Sequence, residues 1–378
     1  MLLAFRCAYQ YPSRVHLAHL RLRDYRNYLR LDADFGPGFH LLVGDNAQGK
    51  TNIIEAIYLL ATLRSFRGVG SAQMVRHAAK GYFVGATIVS AAQREIKMYW
   101  SAAERKLLLD EQPVRRLTDY LGTLQAVVFC TEDLQLVKGT SRTRRRFLDL
   151  LLMQTQLNYL PLLQRYAHAL RSRNSLLKQR SPDAALLDSF SQELVSVGEL
   201  LITARRELLP RISPLARLAY RRISNDAEEL RLEYQPSVKA DFAVELARSR
   251  ERERTYRCTI VGPHRDELAL LVNGQAAAQF GSEGQKRTLA IALKMAQAEY
   301  VTGLLGVPPV LLIDDVMGEL DAKRRSGLLP LLERTQHARG QVFMTCTEES
   351  WPRELSRTLH RWTIKSGALA TAGKHSKG

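Results

Sequence analysis

Residues 44–51 read Gly-Asp-Asn-Ala-Gln-Gly-Lys-Thr, and the apolar run Val310-Leu311-Leu312-Ile313 ends in Asp314 and Asp315. The first stretch is the pattern G-x-x-x-x-G-K-[ST], and each fixed position has a chemical reason. Gly44 and Gly49 let the backbone wrap a phosphate with no Cβ in the way. The N–H groups of Asp45, Asn46, Ala47, Gln48 and Gly49, with the start of the next helix, face the anion. Lys50 reaches the β- and γ-phosphates, and Thr51 places its hydroxyl on Mg²⁺. A glycine turn of purely structural role does not explain Lys50 and Thr51 together, so the pattern implies ATP or GTP. The two aspartates alone would read as loop or capping acids after a buried strand. Beside a phosphate loop, Asp314 fits the Mg²⁺ shell and Asp315 could orient an attacking water. Adjacent residues at a strand end point in different directions, which lets them divide those roles. Asp315 is one methylene shorter than a glutamate, so slow hydrolysis is expected.

The elements that must position these groups follow from periodicity. Residues 16–22 and 39–43 alternate as strands and bracket a turn-rich stretch with Gly36-Pro37-Gly38. Apolar spacing over 52–63 predicts the helix after the phosphate loop. Strand-like runs follow at 83–89, 95–100, 106–109 and 126–129. From Lys138 to Arg146 the chain is basic and turn-forming, and it enters a long helical region reaching Arg222. There Leu187, Phe190, Leu194, Val197, Leu201, Ala204 and Leu208 form a seam at spacings of three and four. An antiparallel helical hairpin explains that seam better than an intermolecular coiled coil. Pro161 and Pro210 are expected to mark helix starts or ends. Strands are expected again at 231–234, 256–260 and 268–272, the last running into the hairpin turn Asn273-Gly274. A helix over 284–300, the strand at Val310, a helix from Asp321 ended or kinked by Pro330, and strands at 341–345 and 359–364 complete the chain. The fold class is α/β: a strand–helix ATPase domain interrupted by a helical insert. The expected divisions are an N-terminal extension (1–14), a first ATPase part (15–140), a helical arm (141–250), a second ATPase part (251–365) and a disordered tail (366–378).

The 378 residues are 46% hydrophobic and 25% charged, an ordinary globular balance. A net charge of +17 favours a polyanionic partner, nucleic acid first, although a merely basic surface explains it as well. The densest cluster holds Arg142, Arg144, Arg145 and Arg146, which could contact DNA phosphates or serve a domain junction, although a solvated helix face explains any one such cluster better. Few aromatics interleave with the basic runs, so base stacking is not indicated. Cys7, Cys130, Cys258 and Cys346 show neither C-x-x-C pairing nor a histidine at metal spacing. That excludes a zinc site or disulfide framework and fits a reducing cytosol. No apolar run approaches the roughly 18 residues of a membrane span. The first residues lack the apolar core and cleavage site of a signal peptide. His264, beside Arg265 and Asp266, reads as a hydrogen-bonded structural histidine or one near the phosphate groups.

Several further motifs carry a resemblance. Gly281-Ser282-Glu283-Gly284-Gln285 looks like the signature element of ABC-type ATPases, Gly318-Glu319-Leu320-Asp321 like their D-loop, and Thr345 stands where the switch residue would. Arg26-Asn27-Tyr28, Ser65-Phe66-Arg67, Val128-Phe129 with Glu132-Asp133-Leu134, Arg144 to Asp149, and Gly262-Pro263-His264-Arg265-Asp266 resemble, in order, segments of the RecF family, in the branch shared with SMC proteins. The likeness covers Val15 to Ile364. Glu283, where the family more often has Gln, and Gly318, where Ser is common, depart from it. The resemblance implies an ABC-type head with an inserted helical arm (lobe II). It also implies that Ser282, Gly284 and Gln285 face ATP held by a second copy, so that ATP drives a homodimer. Further implications are binding of double-stranded, gapped or junction DNA, action with RecR, RecO and RecA, slow DNA-dependent ATP hydrolysis, and a cytoplasmic, nucleoid-associated location. An SMC-like tethering ATPase is the alternative, but it would need far longer helices. A transporter ATPase subunit lacks the RecF segments.

Overall fold

The computed structural model describes residues 15–224, 228–338, 340–347 and 359–371. The chain divides into two compact units, one reaching Asp133 and resuming at Leu293, the other Leu134–Ala292. The expected helical arm had narrower limits. The expected N-terminal extension lies outside the described residues.

The first unit begins with β1 (His16–Tyr25), β2 (Tyr28–Asp34), β3 (Gly38–Val43), α1 (Lys50–Thr62), β4 (Gly81–Val89), β5 (Gln93–Ser101), β6 (Arg105–Leu109), β7 (Gln112–Pro113) and β8 (Ala126–Phe129). The second unit contains α2 (Gln135–Lys138), α3 (Ser141–Thr155), α4 (Tyr159–Leu177), α5 (Ala184–Ile223), β9 (Leu230–Gln235), α6 (Phe242–Arg248), α7 (Arg250–Tyr256), β10 (Glu267–Val272), β11 (Gln275–Ala276), α8 (Ala277–Phe280) and the start of α9 (Glu283–Leu305). The first unit then resumes with β12 (Val310–Ile313), α10 (Val316–Glu319), α11 (Ala322–His337), β13 (Gln341–Cys346), β14 (Leu359–Lys365) and β15 (Ala368–Thr371).

Two six-stranded sheets build the first unit, in orders β2-β1-β4-β5-β6-β7 and β15-β14-β3-β13-β12-β8. The former is antiparallel. In the latter, β14, β3, β13, β12 and β8 are parallel, with β15 antiparallel at the edge. Strands β8, β12 and β13 are buried along their whole length, which is why β8 and β12 read as unbroken apolar runs and β13 is apolar apart from Gln341 and Thr345. Because these strands run parallel, Val43, Ile313 and Cys346 all end at one edge of the sheet, where ligand sites of such sheets form.

In the second unit α4 and α5 pack as the antiparallel hairpin that the seam predicts. Leu176, Leu177 and Leu187 cluster near the turn. Farther along, Arg165 pairs with Glu193 at 2.8 Å. Leu194, Val197, Leu201 and Leu208 are buried. The sheet β11-β10-β9 accompanies the hairpin.

Local rules gave way at five places. The stretch read as turn-rich contains β2, where Tyr28, Leu31 and Ala33 are buried. No strand forms at 256–260, because α7 ends at Tyr256 and Arg257 turns left-handed (φ 53°). Pro210 does not end a helix: α5 runs 40 residues with Pro210 and Pro214 inside. Pro330 lies within α11. Burial of Leu208, Ile212, Ala216 and Ala219 on either side of the α5 prolines offsets the lost backbone bonds. Finally, the tail expected to be disordered from residue 366 forms the β14–β15 hairpin through Thr371.

Candidate nucleotide site

The loop between β3 and α1 is built as a phosphate cradle. Gly49 caps α1 with φ 114°, and a Cβ there would meet the Asn27 side chain at 2.7 Å and Tyr28 Oη at 2.8 Å. At Gly44 a Cβ would collide with the Ile364 carbonyl. Ala47 sits at φ 64°, a conformation a residue with a side chain adopts at some cost, as is common in ligand loops. The Lys50 ammonium, largely buried, donates to the carbonyls of Gly44 (2.5 Å) and Asp45 (2.9 Å), so it lies across the loop. No acidic residue occupies the first turn of α1, and its positive end is undiminished.

Asp314, Asp315, Thr51 and Thr345 meet at the same edge. Thr51 Oγ1 donates to Asp314 Oδ1 at 2.9 Å, and Thr345 Oγ1 donates to the same oxygen at 3.0 Å. Thr345 also accepts from the Asp315 N–H at 2.9 Å, which fixes the strand end. Strand order explains the geometry: β13, carrying Thr345, lies between β3 and β12. Burial raises the Asp314 carboxyl above its ordinary range. The two threonine hydrogen bonds oppose that shift, and the charges of Glu132 and Asp315 add to it. Asp315 is exposed at φ 56° and caps α10. A cleft of about 150 Å³ is lined by residues 46–52 together with Arg67, Asp315 and Thr345.

Among the described residues no cluster of three or more His, Cys, Asp or Glu could hold a metal by itself. The hard oxygens of Thr51 and Asp314, converging within 2.9 Å, nevertheless suit a Mg²⁺ that takes its other oxygens from phosphate and water.

Sequence reasoning gave no role to the groups that brace this loop. Asn27 Nδ2 donates to the Gln48 carbonyl at 2.9 Å, and its Oδ1 accepts from Asn52 at 2.8 Å. Tyr28 Oη donates to the Gly49 carbonyl at 3.1 Å. The Ser366 N–H donates to Gln48 Oε1 at 2.6 Å, so the β14–β15 turn supports the loop as well. Behind α1, Arg26 grips the buried Glu55 with two bonds of 2.7 Å, and Ser65 adds a third of 2.5 Å. Arg67 is an exposed cation on the cleft wall. The signal was available: Arg26-Asn27-Tyr28 is a polar turn set between apolar strands.

Ser282, Gly284 and Gln285 belong to the second unit. Ser282 and Gln285 cap α9 reciprocally, N–H to Oε1 at 2.7 Å and N–H to Oγ at 3.2 Å, which leaves the serine hydroxyl proton available. Gln285 also donates to Glu228 at 2.8 Å. Ser282 and Glu283 are exposed, and Lys138 holds the Glu283 carboxylate at 2.6 Å. Asp321, in the D-loop-like segment, caps α11 through the Arg324 N–H at 2.8 Å.

The basic run is divided by its contacts. Arg144 is engaged by Glu267 (2.7 and 2.6 Å) and the Gly139 carbonyl, and Arg145 by the Asp266 carbonyl at 2.6 Å. Both stabilise the second unit. Arg142 and Arg146 are exposed. His264 is a half-buried bridge: Tyr166 Oη lies 2.6 Å from Nδ1, Nε2 lies 3.1 Å from the Thr259 carbonyl, and desolvation lowers its pKa to about 4. Cys130, Cys258 and Cys346 are free thiols, and Cys7 lies outside the described residues. Among the described residues no helix is long and apolar enough to cross a membrane.

A family model described as the RecF/RecN/SMC N terminal domain matches residues 16–367. The DNA replication and repair protein RecF of a Synechococcus is 39% identical over 353 residues, spanning 88% of this chain and 91% of that protein. RecF of Symbiobacterium thermophilum is 38% identical, with 94% and 98% covered. The solved structure of the recombination mediator RecF with ATP, in the RecFOR pathway, superposes with TM-score 0.87 at 28% identity, covering 96% of this chain and 99% of that one. An Smc head domain from Pyrococcus furiosus shares the fold at TM-score 0.57 and 14% identity, with 95% and 96% covered. With a phosphate loop, an acidic strand end and a signature element set in an ABC-type head, and with relatives of this similarity along nearly its whole length, the chain belongs to the RecF family of DNA replication and repair proteins.

Proposed function

We propose that this chain is an ATP-dependent DNA-binding recombination mediator. ATP joins two copies, and the joined form binds duplex or gapped DNA and assists RecA loading with RecO and RecR in the bacterial cytoplasm, at the nucleoid. The observation that carries the reading is the convergence of Thr51, Asp314, Thr345 and Asp315 beside the Lys50 loop, together with an exposed Ser282 at the start of α9. ATP with Mg²⁺ supplies the bridging γ-phosphate and the electrophilic phosphorus. Lys50 and the α1 N-terminus hold the phosphates, and Thr51 and Asp314 would hold the metal. Asp315, exposed at the cleft, orients water and accepts its proton. Its short side chain makes turnover slow, so Asp315→Glu should speed single-turnover hydrolysis and Asp315→Asn should stop it while ATP still binds. In a second copy, Ser282 and the Gly284 N–H would complete the γ-phosphate shell, so hydrolysis releases the pair. The tethering alternative is disfavoured by size: the 40-residue α5 spans only about 60 Å.

Sedimentation velocity with ATP, Mg²⁺ and duplex tests the reading. Wild type should dimerise, and Lys50→Arg and Ser282→Arg should both stay monomeric. A wild-type protein that is monomeric when saturated with a non-hydrolysable ATP analogue on duplex refutes it.

A further inference from the structure

Cationic and aromatic residues that look scattered in sequence are brought into line by the antiparallel sheet of the first unit. Arg30 pairs in register with Arg23, Arg23 with Phe83, Phe83 with Tyr99, and Tyr99 with Lys106. Residues in direct register point to the same face, so these five form one transverse row across β2, β1, β4, β5 and β6. Their neighbours along the strands, Leu22, Tyr82 and Val84, point the other way into the core. With strands ~4.8 Å apart the row is about 19 Å long.

At its centre the Phe83 and Tyr99 rings lie side by side, centroids 4.7 Å apart and tilted by 44°. Tyr99 is 42% exposed, which leaves its ring open to a ligand. The flanking cations are also exposed. Among the described residues Arg23 has no ion-pair partner. Arg30 reaches Asp32 only at 3.8 Å, and Lys106 pairs with Glu104 where solvent screens both. The next row contrasts with this one, since Arg21 and Lys97 both bind Glu95, at 2.9 and 3.3 Å. Farther along the face, Asp32 and Asp34 hold His19. The cation–aromatic strip is therefore confined to one end of the face.

Two adjacent ring faces with cations on both sides match an unpaired nucleotide strand, whose bases stack on rings and whose phosphates meet guanidinium and ammonium groups. A duplex hides its base faces and would use only the cations, and an apolar protein surface would not need them. We propose that the Arg30–Arg23–Phe83–Tyr99–Lys106 strip binds single-stranded DNA, such as the unpaired segment of a gap. The assignment deepens the DNA-binding reading above and rests on it.

Fluorescence anisotropy of the full-length protein with a labelled oligothymidylate, and in parallel with a duplex of equal length and an ATP analogue, tests the strip. Tyr99→Ala should weaken oligothymidylate binding about ten-fold, with Tyr99→Phe within about two-fold and duplex binding changed by less than about two-fold. Arg23→Ala should weaken single-strand binding and flatten its salt dependence. Iodouracil placed in the oligothymidylate should cross-link to the peptide carrying Tyr99. Melting temperature and nucleotide affinity, read for each variant, should match wild type. Unchanged oligothymidylate affinity in Tyr99→Ala, or equal losses on single strand and duplex, would overturn the assignment. If wild type binds duplex but not oligothymidylate, the strip fails while the DNA-binding reading stands. If it binds neither, that reading fails and the strip falls with it.

Discussion

Replacing Arg26 with methionine tests how the nucleotide-binding helix is held. Glu55 lies on α1 one turn beyond Thr51 and has no exposed surface. Its charge is balanced by Arg26 through bonds of 2.7 and 2.7 Å, with Ser65 and the Tyr25 hydroxyl as its other neighbours. Methionine keeps the volume of the arginine stem and removes only the guanidinium. Stranding one partner of a buried pair costs about 3–5 kcal/mol. A ceiling follows from chemistry, because the abandoned carboxyl can take a proton. For an ordinary glutamate, with pKa near 4.3, protonation at pH 7 costs about 2.7 × 1.36, or ~3.7 kcal/mol, and at pH 5.5 only ~1.6 kcal/mol. The expected loss is therefore about 3–4 kcal/mol at pH 7, shrinking by roughly half at pH 5.5. The sign is fixed: in the variant the folded state holds a proton that the unfolded chain releases, so its relative stability falls as pH rises. Urea unfolding followed by tryptophan fluorescence is the assay. Trp100 and Trp362 belong to the first unit, and residues 134–292 contain no tryptophan, so the signal reports on the unit in question. Adding Glu55→Gln should restore most of the loss, because no charge is then left buried. A loss below about 1 kcal/mol, a loss independent of pH, or a double variant as unstable as the single would refute the reasoning.

Three further outcomes are expected. Gly49→Ala, whose methyl would lie 2.7 Å from Asn27 and 2.8 Å from Tyr28 at a φ of 114°, should weaken binding of a fluorescent ATP analogue. About ten-fold is expected from strain of this kind, and unchanged affinity would count against a rigid loop. Lys138→Ala should raise the ATP concentration needed for dimerisation about two- to five-fold, because it leaves the Glu283 carboxylate beside Ser282 facing only the more distant Lys286, at 3.6 Å. In a Glu283→Gln background the same change should do nothing, and an equal effect in both backgrounds, read by sedimentation, would show that Lys138 acts elsewhere. His40 is buried with its pKa lowered to about 4, and its Nε2 lies 2.7 Å from the Gly36 carbonyl while Trp362 donates to Nδ1 at 3.1 Å. The unfolded chain takes up the proton near 6.5, so this stability is full above that pH and is lost as pH falls toward 4. It amounts to about 3 kcal/mol, and His40→Gln should flatten the acid limb of urea unfolding.

What could be read from sequence was what adjacency enforces. The phosphate loop, the acidic strand end and the α9 cap each need neighbouring residues, so their chemistry survives in one dimension. The alternation of β4 and β5 and the α5 seam survive for the same reason. The supports of the site do not. Asn27 meets Gln48 across 21 residues, and Ser366 meets it across 318, so nothing local marked the β14–β15 turn as part of the nucleotide loop. Prolines inside α5 and α11 break a local rule because the packing of whole helices outweighs one lost hydrogen bond.

The arginines show the limit most clearly. Arg142, Arg144, Arg145 and Arg146 form the densest basic run in the chain and are the DNA contacts that sequence density alone suggests. Yet Arg144 and Arg145 are consumed by Glu267 and the Asp266 carbonyl, more than 120 residues away in sequence. Arg23, Arg30 and Lys106 belong to no such run, and sheet register sets them in a single row around two aromatic rings. A polyanion responds to charge per unit of exposed face, after internal ion pairs have been subtracted. Charge per unit of chain length measures neither of those, and a helix that buries one side discards up to half of any basic run it carries. For a chain with a +17 excess, the informative search is therefore over exposed cations sharing a face, and that search adds the first unit's sheet to the exposed Arg142 and Arg146 of α3.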